Sequence, residues 1–143
     1  MAITVTVSNH FKYQKDKGNV DMSSDAFKVI LMNTTFAFNK DSHATLADVT
    51  ADQLATSHGY TQDSKSLANP VTTEDDTDDC GKTVWDDVEW VADGGSIGPT
   101  GSAIIYDDTT SDDTVYCCID FGTDYTIPDT ASFQLRTLVG KTT

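Results

Sequence analysis

The side chains best placed to do chemistry in this sequence are acidic. Asp76, Asp78, Gly81 and Asp87 fall at positions one, three, six and twelve of a Ca²⁺-binding loop pattern, with aspartate in place of the final glutamate. Position five is Cys80, a poor ligand for a hard cation, and flanking helices are not predicted. The stretch therefore reads as a solvated acidic turn, with Asp76, Asp78 and Asp87 as weak metal candidates. A second acidic loop, Asp107 to Asp113, has the chemistry to hold a divalent cation weakly, for example between subunits. The glycine-rich run Gly94 to Gly101 lacks the lysine of a phosphate-cradling loop, and Pro99 removes one N–H donor, so it is a turn.

His10, His43 and His58 stand far apart, and none shares a motif with a serine or cysteine nucleophile. Carboxylate pairs such as Asp86-Asp87 are too common here to mark a catalytic acid and base. Trp85 and Trp90 have two readings: a sugar-stacking platform, or aromatic anchors in a core or between subunits, which is the commoner role of strand tryptophans. No catalytic residue and no cofactor is assigned. An enzyme is not expected.

What positions these groups is legible in the composition. Of 143 residues, 21 are aspartate and only 2 glutamate, and the net charge is −14. Aspartate favours turns and caps whereas glutamate favours helix interiors, so the acid belongs in loops. The 22 threonines, many beside valine or isoleucine, suit pleated strands. An acidic field of this kind repels phosphate backbones, which argues against nucleic-acid binding. Five of the nine cations lie in residues 1–40 against three acids, so a mildly basic N-terminal part could dock on an acidic partner while the acidic body faces water. No apolar run approaches the ~20 residues that cross a bilayer, and the alternating N-terminus does not resemble an export signal. Three cysteines, two of them adjacent at Cys117 and Cys118, imply free thiols made in a reducing compartment, with at least one of the pair buried.

Along the chain, Ile3, Val5 and Val7 mark a first strand or extended arm. Ser8 or Asn9 caps a short helix through Phe11, Tyr13 and Lys17, with Gly18 as its stop. Residues 26–32 form a long core strand. Thr50 and Gln53 offer a capping box for a second short helix. Strand pieces follow from Tyr60 to Thr73 and from Lys82 to Val91. The clearest hairpin has arms 103–106 and 114–121 around the polar loop Asp107 to Asp113, and Gly122 is expected to end it. A further extended run begins at Tyr125, and Ala131 to Val139 gives a last strand. The sum is an all-β, single-domain β-sandwich or jelly-roll-like barrel spanning 1–143, with one or two short helices and 1–17 as an N-terminal arm.

In this order the sequence resembles a family of small virion proteins of tailed bacteriophages. The resemblance rests on Ser8 to Gln14, Asp25 to Met32, Gly59-Tyr60-Thr61, and the block running from Val88-Glu89-Trp90 through Gly95 to Pro99 and Ala103 to Asp108 to Ile119-Asp120-Phe121-Gly122. Cys117 and Cys118 depart from it, standing where small or apolar residues are expected. The resemblance implies a β-rich structural protein of the particle, made in the bacterial cytoplasm, and no catalytic residues carry over.

Within a virion, a capsid decoration (cement) protein on the outer head surface is the favoured role. A tail or tail-fibre component and a carbohydrate-binding adhesion module are the alternatives. The absence of coiled-coil heptads and collagen repeats argues against a self-standing fibre. The expected partner is the major capsid protein or another virion protein, with homo-oligomerisation and neither nucleic acid nor membrane. The contact is expected from the arm: Val5, Val7, Phe11, Lys12, Tyr13, Lys15 and Lys17. Trp85 and Trp90 are the aromatic anchors.

Overall fold

Phe27–Met32, an apolar run broken only by Lys28, becomes strand β2, and its composition explains its place at the centre of the molecule. Phe27, Val29 and Leu31 point into one buried cluster while Ile30 and Met32 point into another, so both faces of the strand are covered. The computed structural model describes residues 3–136 and 138–142. Before β2 come β1 (Thr4–Val7) and α1 (Asn9–Asp16); after it come α2 (Leu46–Val49), β3 (Lys65–Ser66), β4 (Val71–Asp75), β5 (Cys80–Trp85) and β6 (Val88–Val91). The chain then forms the long hairpin β7 (Ile97–Asp107) and β8 (Val115–Ile127), and ends in β9 (Ser132–Leu135) and β10 (Leu138–Thr142).

All the strand pairings are antiparallel. One sheet has the order β1-β8-β7-β2-β3, a second β10-β5-β4, and β6 pairs with β9. The inner face of the large sheet supplies Phe27, Leu31, Ile105 and Cys117 to a core completed by Trp85 and Leu138 of the second sheet and by Val88, Trp90 and Leu135 of the β6-β9 pair. This is a β-sandwich with two short helices. The outer face of the large sheet is covered separately. The segment between β2 and the 50–52 turn folds back so that Val49, Leu46, Phe36 and Phe38 close over Ile30, Met32, Ile104 and Tyr106.

Local irregularities serve this two-sided burial. Opposite Ile105 and Tyr106 stand Cys117 and Val115, so Tyr116 is the extra residue of a β-bulge. The bulge puts Tyr116 and Cys117 on the inner face together, while Val115 and Cys118 face the outer cluster. The adjacent cysteines are both buried, unpaired and on opposite sides of the sheet. Burial pushes the Cys118 thiol up to about 12 and raises Cys117 as well. Strand β3 is only two residues long, so most of the outer edge of β2 needs other partners. Segment 52–54 supplies them, with Asn33 N donating to Asp52 O at 2.8 Å and Leu54 N to Leu31 O at 3.0 Å. The Leu31 N–H donates to the Tyr60 hydroxyl at 3.0 Å, which donates in turn to Gln53 Oε1 at 2.8 Å.

Several expectations shift. The capping box lies five residues earlier than expected: Thr45 caps α2, and the Asp48 carboxylate accepts from the N–H groups of Ala44 and Thr45 at 3.0 Å each. Thr50 opens only a single 3₁₀ turn, Thr50–Asp52. Gly122 does not end β8; with φ +75° it bends the strand, which continues to Ile127. Residues 82–91 are two strands of different sheets, so Trp85 and Trp90 meet one core despite opposite parity. The expected last strand is split into β9 and β10.

The N-terminal segment is not an appendage. β1 is paired with β8 from Thr4↔Asp120 to Val7↔Cys117, and the Ser8 N–H donates to Tyr116 O at 2.9 Å. The Ser8 side chain caps α1 by accepting from His10 N and Phe11 N.

Candidate interaction surface

β1 is an edge strand, hydrogen-bonded on one side to β8 and open on the other. Exposed strand edges are usually guarded by charge, proline, a bulge or a covering segment, because an unpaired row of N–H and C=O groups recruits other chains. The sequence Thr4-Val5-Thr6-Val7 contains neither charge nor proline, and its ladder with β8 runs without a register break. Ile3 is 66% and Val5 55% exposed. Among the described residues no strand pairs with this edge, and its side chains are uncharged.

Three grooves among the described residues are lined by β1, and one of them, with Thr4 and Thr6, lies toward Phe36 and Phe38 on the outer face. On the β10 side, Ile3 and Val5 join Ile119, Phe121, Phe133 and Leu138 around a mostly apolar groove of about 470 Å³, at the open mouth between the two sheets. On the α1 side, Val5, Thr6 and Val7 join Lys12, Lys15, Lys40 and Lys141 around a groove of about 570 Å³ in which Asp16 is the acidic residue. Lys40 pairs with Asp41 at 3.0 Å and Lys141 pairs with Asp78, while Lys12 and Lys15 are exposed and form no ion pair with a described residue. Four of the nine cations of a chain with net charge −14 thus gather beside one edge strand. The arrangement can seat an extended segment: backbone groups of β1 for pairing, an apolar trough for alternate side chains, and ammonium groups for acids.

The expected contact residues divide accordingly. Val5, Val7, Lys12 and Lys15 line the lysine groove. Tyr13 is 53% exposed on α1, with the Lys17 ammonium 5.2 Å from its ring centre. Phe11 is the correction: at 1% exposure, with its ring 4.4 Å from that of Tyr116, it belongs to the core and is not available to a partner. An amphipathic helix must bury one face, and Phe11 is that face. Ile3, read in the sequence as part of the first strand, was not among the expected contacts, and neither were Lys40, Phe133 and Lys141. The last three are distant from β1 along the chain, and only the pairing of β1 with β8 and the approach of β10 unite them with it.

Comparison with family models, curated proteins and solved structures finds no match.

The other candidates lie elsewhere. Trp85 and Trp90 are each 3% exposed, so neither offers a ring face to a sugar. Phe27 packs against Trp85, and Phe133 and Tyr60 against Trp90, above which Lys65 stands 5.6 Å from the ring centre. Asp76 and Asp78 sit in the tight turn between β4 and β5, whereas Asp87 follows the far end of β5, about 20 Å away at ~3.3 Å per residue. The calcium-loop spacing is therefore stretched out along a strand. Among the described residues, no three His, Cys, Asp or Glu side chains are grouped to hold a metal ion. His10 bonds Asp112 at 2.8 Å and His43 accepts from Asn39 N at 3.0 Å; each braces a loop.

Proposed function

We propose that this chain is a structural protein of a tailed-bacteriophage virion, and that it acts as a decoration protein on the outer surface of the head. The observation that carries the reading is the unguarded β1 edge with Ile3 and Val5 exposed beside it. A protein displayed in many copies with such an edge would aggregate unless a partner covered it. The acidic remainder of the surface keeps crowded copies apart and soluble. A domain that binds only the assembled shell stabilises that state by mass action, which supports a mechanical role in resisting the outward push of packed DNA. The partner in this reading is the major capsid protein, held along β1 and the lysine groove. The burial of both tryptophans speaks against the adhesion alternative.

Removing the whole N-terminal segment would unfold the domain, so point substitutions test the reading. The purified chain is expected to co-sediment with genome-filled heads stripped of their small outer proteins. The double variant Ile3→Lys, Val5→Lys places charge on the edge without touching the core. It is expected to bind at least about tenfold more weakly, a loss of about 1.4 kcal/mol, with an unchanged circular dichroism spectrum. Binding to purified tails but not heads would move the protein to the tail, and binding to neither would end the virion assignment.

A further inference from the structure

The last residue of β7 is an aspartate that no solvent reaches: Asp107 is 0% exposed. Its Oδ1 accepts from the Thr109 N–H at 2.9 Å, while its Oδ2 is sealed from water and, among the described residues, receives no hydrogen from a donor group. The group that faces this carboxyl is a second carboxyl, that of half-buried Asp25, at hydrogen-bonding range. Asp25 keeps partial contact with water and accepts from the Asp21 N–H at 3.0 Å, whereas Asp107 has neither relief at Oδ2. Ionising Asp107 would therefore bury a negative charge beside another carboxyl with no hydrogen bond at that oxygen.

A cation on the adjacent strand is directed elsewhere. Lys28 of β2 reaches toward Asp108, at 3.4 Å. The remaining groups around the hairpin base, Asp63, Asp108 and Asp113, are acidic, and the hydroxyls of Tyr60 and Tyr106 are themselves pushed upward by burial.

We propose that the Asp107 carboxyl keeps its proton in the folded state and donates it to the carboxyl of Asp25, and that this bond is a latch fastening the turn before β2 to the base of the β7–β8 hairpin. Neighbouring bonds show what the latch joins: Ala26 N donates to Thr109 Oγ1 at 2.7 Å and Asp108 N to Ala26 O at 2.8 Å. Burial first, and then the hydrogen bond and charge of Asp25, push the Asp107 carboxyl up to about 8. In the unfolded chain the same group ionises near its usual value of about 3.9. Between those limits the folded state holds a proton that the unfolded state has released, so stability falls as pH rises and levels off above about 8.

The test compares the chain with Asp107→Asn, whose amide supplies the missing hydrogen to Asp25 without titrating. Urea unfolding is followed between about pH 5.5 and 9.5 in EDTA at fixed ionic strength. The folding constant of the parent relative to the variant is expected to fall by up to about tenfold per pH unit on approaching pH 8 and to flatten above it. Parallel curves for the two proteins would overturn the proposal. So would a rise in the alkaline unfolding midpoint of the parent on adding millimolar Ca²⁺, which would put a metal ion where the proton is placed. Should the variant fail to fold, carboxyl ¹³C titration of the parent decides: one aspartate resonance with a midpoint near 8 supports the latch, and midpoints all below about 5 refute it.

Discussion

Replacing Phe11 by alanine is expected to destabilise the fold by about 3–5 kcal/mol, the range for emptying a buried aromatic site. At this chain length that lowers the thermal midpoint by roughly 10 °C or more, measurable by calorimetry. The size follows from what the ring holds in place. Phe11 is the buried residue of α1, its ring is packed on Tyr116, and the backbone beside it is tied to β8 through Ser8. Losing it frees the helix and with it the continuation of β1. Tyr13→Ala on the exposed side of the same helix is the control, expected to change stability by no more than about 0.5 kcal/mol. Equal effects from the two substitutions would show that α1 is not docked as described.

Gly59→Ala should be comparably damaging, through the backbone and not the core. Gly59 has φ +96°, and a Cβ there would stand 2.1 Å from the carbonyl oxygen of Val91. That oxygen has little freedom to retreat. Val91 pairs with Ser132 in the β6-β9 ladder, Ala92 N donates to Ala131 O at 2.9 Å, and Asp93 N donates to His58 O at 2.9 Å. The steric conflict adds to the cost of a left-handed conformation for a residue with a side chain, so a loss above about 3 kcal/mol is expected in the urea unfolding midpoint. Gly94→Ala separates the two contributions. It shares a positive φ of +77° but would meet nothing within 4 Å, and about 1–2 kcal/mol is expected there. A Gly59 variant no worse than the Gly94 one would place Val91 farther off than described.

How far the sequence announced this architecture depends on whether local or distant residues decide each feature. The Ser8 cap, α1, β2 and the centre of the β7–β8 hairpin are written in local patterns of capping, periodicity and turn chemistry. The hairpin arms, however, run past the expected 103–106 and 114–121, back to Ile97 and on to Ile127, so that residues 97–101, read as a turn, are strand. The second helix slipped because Thr45 with Asp48 and Thr50 with Gln53 are near-equivalent boxes. The choice falls to Val49 and Leu46, which must cover the outer face of β2 and β7, and that requirement is tertiary. Gly122 misled for the same reason: a bend inside a long strand and a strand end look alike without the partner strand. The sequence marked the N-terminal strand but not its dual nature, hydrogen-bonded to β8 on one side and open on the other. Lys40 and Lys141 reach it only through the folded chain. Asp107 was one acid among many in a polar loop, and only the packing of residues 21–26 against the hairpin sets it apart.

The neighbouring thiols of β8 give this domain two internal sentinels. Cys117 lies in the layer between the sheets and Cys118 in the layer beneath residues 33–52, while Cys80 is half-exposed on β5. An alkylating reagent therefore samples three depths of one molecule. Modification of Cys118 ahead of Cys117 would register the outer cover lifting on its own, and simultaneous modification of both would register the sandwich coming apart as a unit.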